Sequence, residues 1–582
     1  MENISWKKVC VSDEKNIQET AILLERINDS NKNILILLQS NDINDIINGI
    51  ELLSDSSYEL NSYHKLCFLM KHVSPDEQNR NIWIKLDNLI KIHIDKNKYD
   101  IHLYTSLVNI INNNKKINLD EHEKKFILYI IKEYEKRGFI ITSDYKCNKL
   151  SSTYDKISVN ENKMKNILSN TNTKLISHVI DSKTVLIPQK IDCLFNILKS
   201  RNNYANMMEK SDYFNLVADI NVDSLKITIK KILDNFNSIN TLTSDKIKYT
   251  FQLDHSIQTM LDIIHDMFKL NFSINDTIET WEPSVKVFDV IYKNNLVGYL
   301  YIDLQKRQGK FDEPIAITLY DAIMFPIKSE VIKVPVCVIV GNYKNNISFN
   351  DMIKIFRQFG NVVHSFFHKS KYGSINISDT VGTFMENLFE NIALDNKNIV
   401  KFLSDKTLDD INQNKIHVNN MISVKYLCTL SLFDYMCHST YFQNIINPLE
   451  LINKYNDIMI SSFNKNKTCN NIPDDVINLV CFKGGLTYTL LINKLLSFNV
   501  YSLLNKSNID RFIYDVLSET LTPMNDSINT FIKNCDKPEE SKSLEHIISR
   551  DNNIIKKIKS NTNNININTK SVASNSNYFT DN

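Results

Sequence analysis

Phe356-Arg-Gln-Phe-Gly-Asn-Val-Val-His-Ser-Phe-Phe-His368 is the stretch on which the reading of this chain turns. A helix that binds zinc through His-Glu-x-x-His sets two imidazoles four residues apart on one face, with a glutamate between them to activate water. At that spacing, beside Phe356 and Phe359, this stretch carries Arg357, Gln358 and Asn361. So short a pattern proves nothing alone, and the flanking sequence has to decide what kind of helix this is.

Upstream stand Tyr249-Thr-Phe-Gln-Leu253, Met267-Phe-Lys-Leu-Asn-Phe272, Glu279-Thr-Trp-Glu-Pro-Ser-Val-Lys-Val-Phe-Asp-Val290 and Val297-Gly-Tyr-Leu-Tyr-Ile-Asp-Leu-Gln-Lys-Arg-Gln-Gly-Lys-Phe311. Then come Pro335-Val-Cys-Val-Ile-Val-Gly-Asn-Tyr343 and Ile347-Ser-Phe-Asn-Asp-Met-Ile-Lys-Ile-Phe-Arg-Gln-Phe-Gly360. In this order the segments resemble the thimet oligopeptidase / oligoendopeptidase family of zinc metallopeptidases. That family has Gly-Tyr-Phe-Tyr-Leu-Asp-Leu-Tyr-x-Arg-x-Gly-Lys ahead of its metal helix, and Phe-His-Glu-Phe-Gly-His within it. Phe356, Phe359, Gly360 and His364 match without gaps, whereas Arg357, Gln358 and Asn361 do not. The resemblance runs from about Ile191 to about Ile548.

The family's third ligand is a glutamate on the next helix, and Phe384-Met-Glu386 sits at the corresponding spacing, with Glu390 as a rival. Farther on, the family sets a histidine and several tyrosines around a Gly-Gly pair to stabilise the tetrahedral intermediate. Anchoring on Gly484 and Gly485 places Cys481 at the histidine and Leu486, Leu490 and Asn493 at tyrosines; Tyr488 falls at no expected position. The resemblance therefore implies a degenerate member in which metal ligands, general base and oxyanion support are all replaced, with no cofactor.

Two unit charges about 4 Å apart at an effective dielectric of about 20 interact by roughly 4 kcal/mol, so a guanidinium facing a divalent ion is repelled by up to about twice that. A single carboxylate cannot hold zinc against water once both imidazoles are gone. We expect the Arg357 guanidinium to stand in the metal's place and pair with Glu386 or Glu390, because a carboxylate stripped of its cation carries a heavy desolvation cost. The bland alternative is that these side chains face a water-filled channel and never meet. A sharper alternative is a displaced metal site: His364 and His368 are also four apart, two helical turns beyond the first pair of positions, and Glu386 or Glu390 could complete them. Against it, Ser365 stands where a general base is needed.

Composition fits a large helical protein. The chain has 582 residues, 43% of them hydrophobic, with ten glycines and ten prolines, few enough breakers for long helices. Helical periodicity marks Phe126–Tyr134 and Ile227–Phe236. Strand-like stretches are few, chiefly Val285–Val290, Gly298–Leu304 and Val331–Val340. Ile191–Ala205 resembles the family's helix before an Asn-Tyr-Ala turn, and Asp510–Leu517 a late family helix. The resemblance implies a mainly α, bilobal zincin-like oligopeptidase fold with a small β-sheet lining a central channel. The expected organisation is an N-terminal helical region over 1–190, an oligopeptidase-like region over 191–548, and a disordered Asn/Ser/Lys-rich tail over 549–582.

A net charge of +1 leaves no electrostatic footprint for nucleic acid or an anionic membrane surface. Ten cysteines without a Cys-x-x-Cys pair point to reduced thiols, Cys481 among them as a packing residue. No secretory h-region and no membrane-spanning apolar run is present, so a soluble, cytoplasmic protein is expected. The Asn-, Ile- and Lys-rich bias is that of AT-rich coding DNA, shared by large DNA viruses and some protozoan parasites, and allows a virion location. Three function classes follow: a catalytically inactive homologue that binds an extended peptide or protein partner at a sheet edge; a structural or virus-particle assembly component with a filled cleft; and an active oligopeptidase using His364 and His368.

Overall fold

The scarcity of glycine and proline shows directly in helix length: Ile43–Val73 runs 31 residues and Glu14–Leu38 runs 25 without a break. The computed structural model describes residues 14–97, 100–113, 117–135, 153, 156–168, 182–218, 220–236, 250–325, 330–372, 379–403, 413–463, 470–518 and 524–535. The expected tail over 549–582 and residues 1–13 lie outside these. Within them the chain is mainly helical with small sheets. Packing divides it into two units, one built from the described parts of 1–134, 247–411 and 496–542, the other from those of 135–246, 412–495 and 543–582. Among the described residues no single helix is long and apolar enough to cross a membrane.

The first unit contains a five-stranded sheet of β1 (Leu270–Ile274), β2 (Lys286–Tyr292), β3 (Asn295–Gln305), β4 (Ile315–Tyr320) and β5 (Val336–Tyr343), in the order β1-β2-β3-β5-β4. Only the β3–β5 pairing is parallel; the rest is antiparallel. Between β2 and β3 the turn is Lys293-Asn294, both at positive φ (48° and 64°), as a two-residue hairpin loop with the right twist requires. Central β5 is almost wholly buried, as a Val/Ile run covered on both faces should be. One face of the sheet packs Val287, Tyr301, Ile317, Val336 and Val338 against Leu66, Leu69, Trp83 and Leu86 of the long N-terminal helices.

Against the other face lies helix α1 (Phe349–Phe367), which holds the decisive stretch. A capping box starts it: the Ser348 hydroxyl accepts from the Asp351 N–H, and the Asp351 carboxylate accepts from the Ser348 N–H. Its Phe349, Met352, Phe356, Phe359, Val363 and Phe367 recur at helical spacing and are all buried. Gly298 on β3 admits the Phe366 ring, which would lie 2.5 Å from an added Cβ. The next helix, α2 (Asp379–Ala393), crosses α1 at Gly360, where an added Cβ would lie 2.5 Å from the Met385 carbonyl oxygen. Gly360 is thus a packing requirement, and it fixes the height of α1 against α2.

Several expectations need correction. The Val331–Val340 stretch is two strands, Glu330–Lys333 and β5, because Pro335 lacks the N–H to continue a ladder; its carbonyl instead accepts from Tyr299 N–H at 3.0 Å. The β content is larger than three stretches, since β1, β4 and short paired strands such as Thr250–Gln252 with Asn346–Ser348 went unread. Asn203-Tyr204-Ala205 is no turn, as it continues the Ser182–Met207 helix. Asp510–Leu517 is a short helix, Ile509–Phe512, running into a π-helical turn over Ile513–Leu517.

The second unit gathers the helices Ser182–Met207, Gln413–His438, Pro448–Phe463 and Asp474–Lys483 around Leu194, Ile197, Phe433, Leu451, Tyr455, Val480 and Cys481.

Candidate functional site

Because α1 and α2 cross at Gly360, residues on either side of that crossing face one another. Arg357 Nη2 donates to Glu386 Oε2 at 3.0 Å, and Arg357 Nη1 lies 3.3 Å from Glu390 Oε2. Asn361 Nδ2 donates to the other Glu386 oxygen, Oε1, at 2.9 Å. Both carboxylate oxygens of Glu386 are therefore engaged by the two residues at the metal-ligand spacing on α1. The Arg357 and Glu386 side chains are 32% and 24% exposed, so the pair is half-buried and partly screened by water. Asn361 Oδ1 is buried without a hydrogen-bond partner, packed over Gly382.

Gln358, at the spacing of a general base, does something different. Its Oε1 accepts from the backbone N–H of Ala316 on β4 at 3.0 Å. Two turns later Ser365 Oγ shares a hydrogen bond with Thr318 Oγ1, so α1 is tied to the same strand twice.

This donor set does not fit a zinc ion. A guanidinium has no lone pair to offer, an amide oxygen is a weak ligand, and both Glu386 oxygens already accept from cationic or amide N–H groups. The displaced set His364, His368 and Glu386 is not brought together either. Among the described residues no three His, Cys, Asp or Glu side chains converge as metal ligands. The two rings sit beside one another, centroids 5.3 Å apart, while the Glu386 carboxylate is turned to Arg357 and Asn361. Burial, and then the neighbouring His368, drives the His364 imidazole well below its usual range; burial and the Lys125 charge bring His368 down to about 4. His364 is a buried neutral residue, and His368, at the C-cap of α1, is half-buried.

In the second unit the Asp474–Lys483 helix ends in Gly484 and Gly485, at φ 53° and 84°. Cys481 is fully buried, and burial pushes its thiol up to about 12, which leaves no nucleophile. Asn493 is buried, whereas Leu486 and Leu490 are partly buried. Sequence reading missed what surrounds this turn. Arg201 is buried beneath Gly484, its Nη1 donating to the Val480 carbonyl at 2.9 Å and to His438 Nε2 at 2.8 Å, and its Nη2 to Glu161 at 2.8 Å and to the Cys481 carbonyl. Arginine can only donate, so His438 Nε2 carries no proton and Nδ1–H faces Asp434, 3.0 Å away. Asp434 in turn accepts from the Gly485 and Thr487 N–H groups. The i, i+4 spacing of Asp434 and His438 was the available signal; Arg201 had none.

Residues 232–472 match the profile of peptidase family M3. Saccharolysin of Saccharomyces cerevisiae is 27% identical over 164 residues, 25% of this chain and 22% of that protein. The thimet-like oligopeptidase of Dictyostelium discoideum is 22% identical over 231 residues, 36% of this chain and 34% of its own length. The aligned stretches thus span about a third or less of these curated relatives. The solved structure of PZ peptidase A with an inhibitor superposes with a TM-score of 0.55 at 9% identity, covering 92% of this chain and 97% of that one, a likeness of fold. Segment 232–472, which holds the sheet, α1 and α2, is thus similar to peptidase family M3 and is set in a chain whose fold resembles that of PZ peptidase A.

Proposed function

We propose that this chain is a family M3 homologue without zinc catalysis, whose retained fold binds an extended peptide or a protein partner. The observation that carries the reading is the engagement of both Glu386 oxygens by Arg357 and Asn361. Arg357 and Asn361 already pair both oxygens of Glu386, so the carboxylate is satisfied without an ion. Gln358 cannot take a proton from water as a carboxylate would. Cys481, Leu486, Leu490 and Asn493 at the positions of the family's histidine and tyrosines would leave a tetrahedral oxyanion without its donors. Because one matched relative is named a thimet-like oligopeptidase, short peptides are the first ligand class to try.

The test is metal quantification on the purified full chain alongside cleavage of a mixed peptide pool. We expect no stoichiometric zinc and no chelator-sensitive cleavage; either one would refute the reading. A structural or particle-assembly role with a filled cleft is the second reading, favoured by one contact, Gln358 on Ala316.

A further inference from the structure

We propose that Gln358 closes the free edge of β4 against an incoming extended segment, putting its own amide oxygen where a peptide carbonyl would pair. This rests on the reading above that the fold binds peptides, and says how that binding is held in check.

Among the described residues β4 is the terminal strand of the sheet, paired with β5 alone. In an antiparallel pair, alternate residues direct N–H and C=O into the ladder and away from it. The Ala316 N–H points at Gln358, away from its register partner Ile339, so Ala316 faces outward. By the same alternation Thr318, opposite Cys337, faces outward too, while Ile315 and Ile317 serve the ladder. An added strand would therefore pair with the backbone of Ala316 and Thr318, the ordinary geometry of strand addition. At the first of these places the acceptor is already supplied by Gln358.

The capping oxygen is held in place by its surroundings. Gln358 lies on α1 near Gly360, where the helix backbones are in contact, and Ser365, two turns on, is tied to Thr318. A peptide would have to displace Gln358 and leave its amide without that partner, forfeiting the net gain of one hydrogen bond. Removing the cap should tighten peptide binding by roughly threefold to tenfold.

Gln358→Leu keeps the volume and deletes the acceptor; Gln358→Ala is the second variant should leucine disturb the packing; Gln358→Glu retains an acceptor oxygen at the same reach. On full-length protein, backbone amide exchange at Ala316 and binding of a fluorescein-labelled random octapeptide pool are measured for all four forms. The expected result is faster Ala316 exchange and tighter binding in the leucine and alanine variants, with the glutamate variant like wild type. Equal, measurable binding by all forms would overturn the proposal while leaving peptide binding itself intact. No binding by any form, even with Ala316 exchange accelerated, would overturn both. Unchanged Ala316 exchange in Gln358→Leu would show that the contact does not exist in solution.

Discussion

Two carboxylates of the same unit, Asp303 and Glu386, are both held by cationic side chains, yet in opposite ways. Asp303 on β3 is fully buried and accepts from Trp281 Nε1 at 2.8 Å, from both Arg307 terminal nitrogens at 2.8 and 2.6 Å, and from Lys310 Nζ at 2.7 Å. The ammonium of Lys310, itself buried, also reaches the Asp303 and Gln305 carbonyls. Glu386 has one guanidinium and one amide, in a setting that water still reaches. The difference teaches which carboxylate the fold depends on. Asp303 neutralises one cation locked into the interior, Lys310, and one half-buried, Arg307, whereas Glu386 and Arg357 can be solvated separately at small cost.

The largest effect should come from Asp303→Ala, which strands Lys310 as a buried charge and Arg307 as a half-buried one. We expect a loss of about 3–5 kcal/mol in denaturant unfolding, and a loss below about 1 kcal/mol would erase the contrast with Glu386. Next is Gly360→Ala, beneath the Arg357–Glu386 pair. Its methyl meets a backbone carbonyl that cannot swing aside, so roughly 1–3 kcal/mol should be lost, with α1 and α2 pushed apart.

A third test uses acid. His364 and His368 are neutral in the folded chain down to well below 6.5, with His368 at about 4, whereas the unfolded chain protonates them near about 6.5. Between those limits the unfolded state binds more protons, so stability should fall as pH drops from about 6.5 towards about 4. His368→Gln should reduce that slope by about one proton in denaturation series across this range; an unaltered slope would mean that His368 is not buried neutral. The smallest effect should be Arg357→Ala, at most about 1 kcal/mol, because the pair is exposed enough for water to replace it. A loss approaching that of Asp303→Ala would make the two carboxylates equivalent.

Much of this was legible beforehand. Helix α1, its glycine and the glutamate on the following helix could all be placed because the resemblance to the oligopeptidase family carries them residue by residue, while periodicity showed only that the stretch is helical. The pairing of Arg357 with Glu386 was stated as one of two outcomes, because side-chain direction depends on where α2 crosses. The Asp303 hub was hidden inside a quoted motif: Asp303, Arg307 and Lys310 lie within eight residues on a strand end and loop, where spacing does not tell which side chains meet. β1 and β4 escaped because short strands with mixed polarity carry little periodic signal, and β4 becomes an edge only once the sheet order is known.

By itself, the order of residues determined that an arginine and two amides stand at a metal-binding spacing on an apolar helix, and that a glutamate follows at the right remove. Local periodicity and residue chemistry suffice for the helix, and the resemblance to the oligopeptidase family supplies the glutamate. Only the tertiary structure decided that Arg357 and Asn361 share one carboxylate while Gln358 turns the other way to meet a strand. Those partners come from segments tens of residues away, and which of them meet is set by one close helix crossing and by the sheet's strand order.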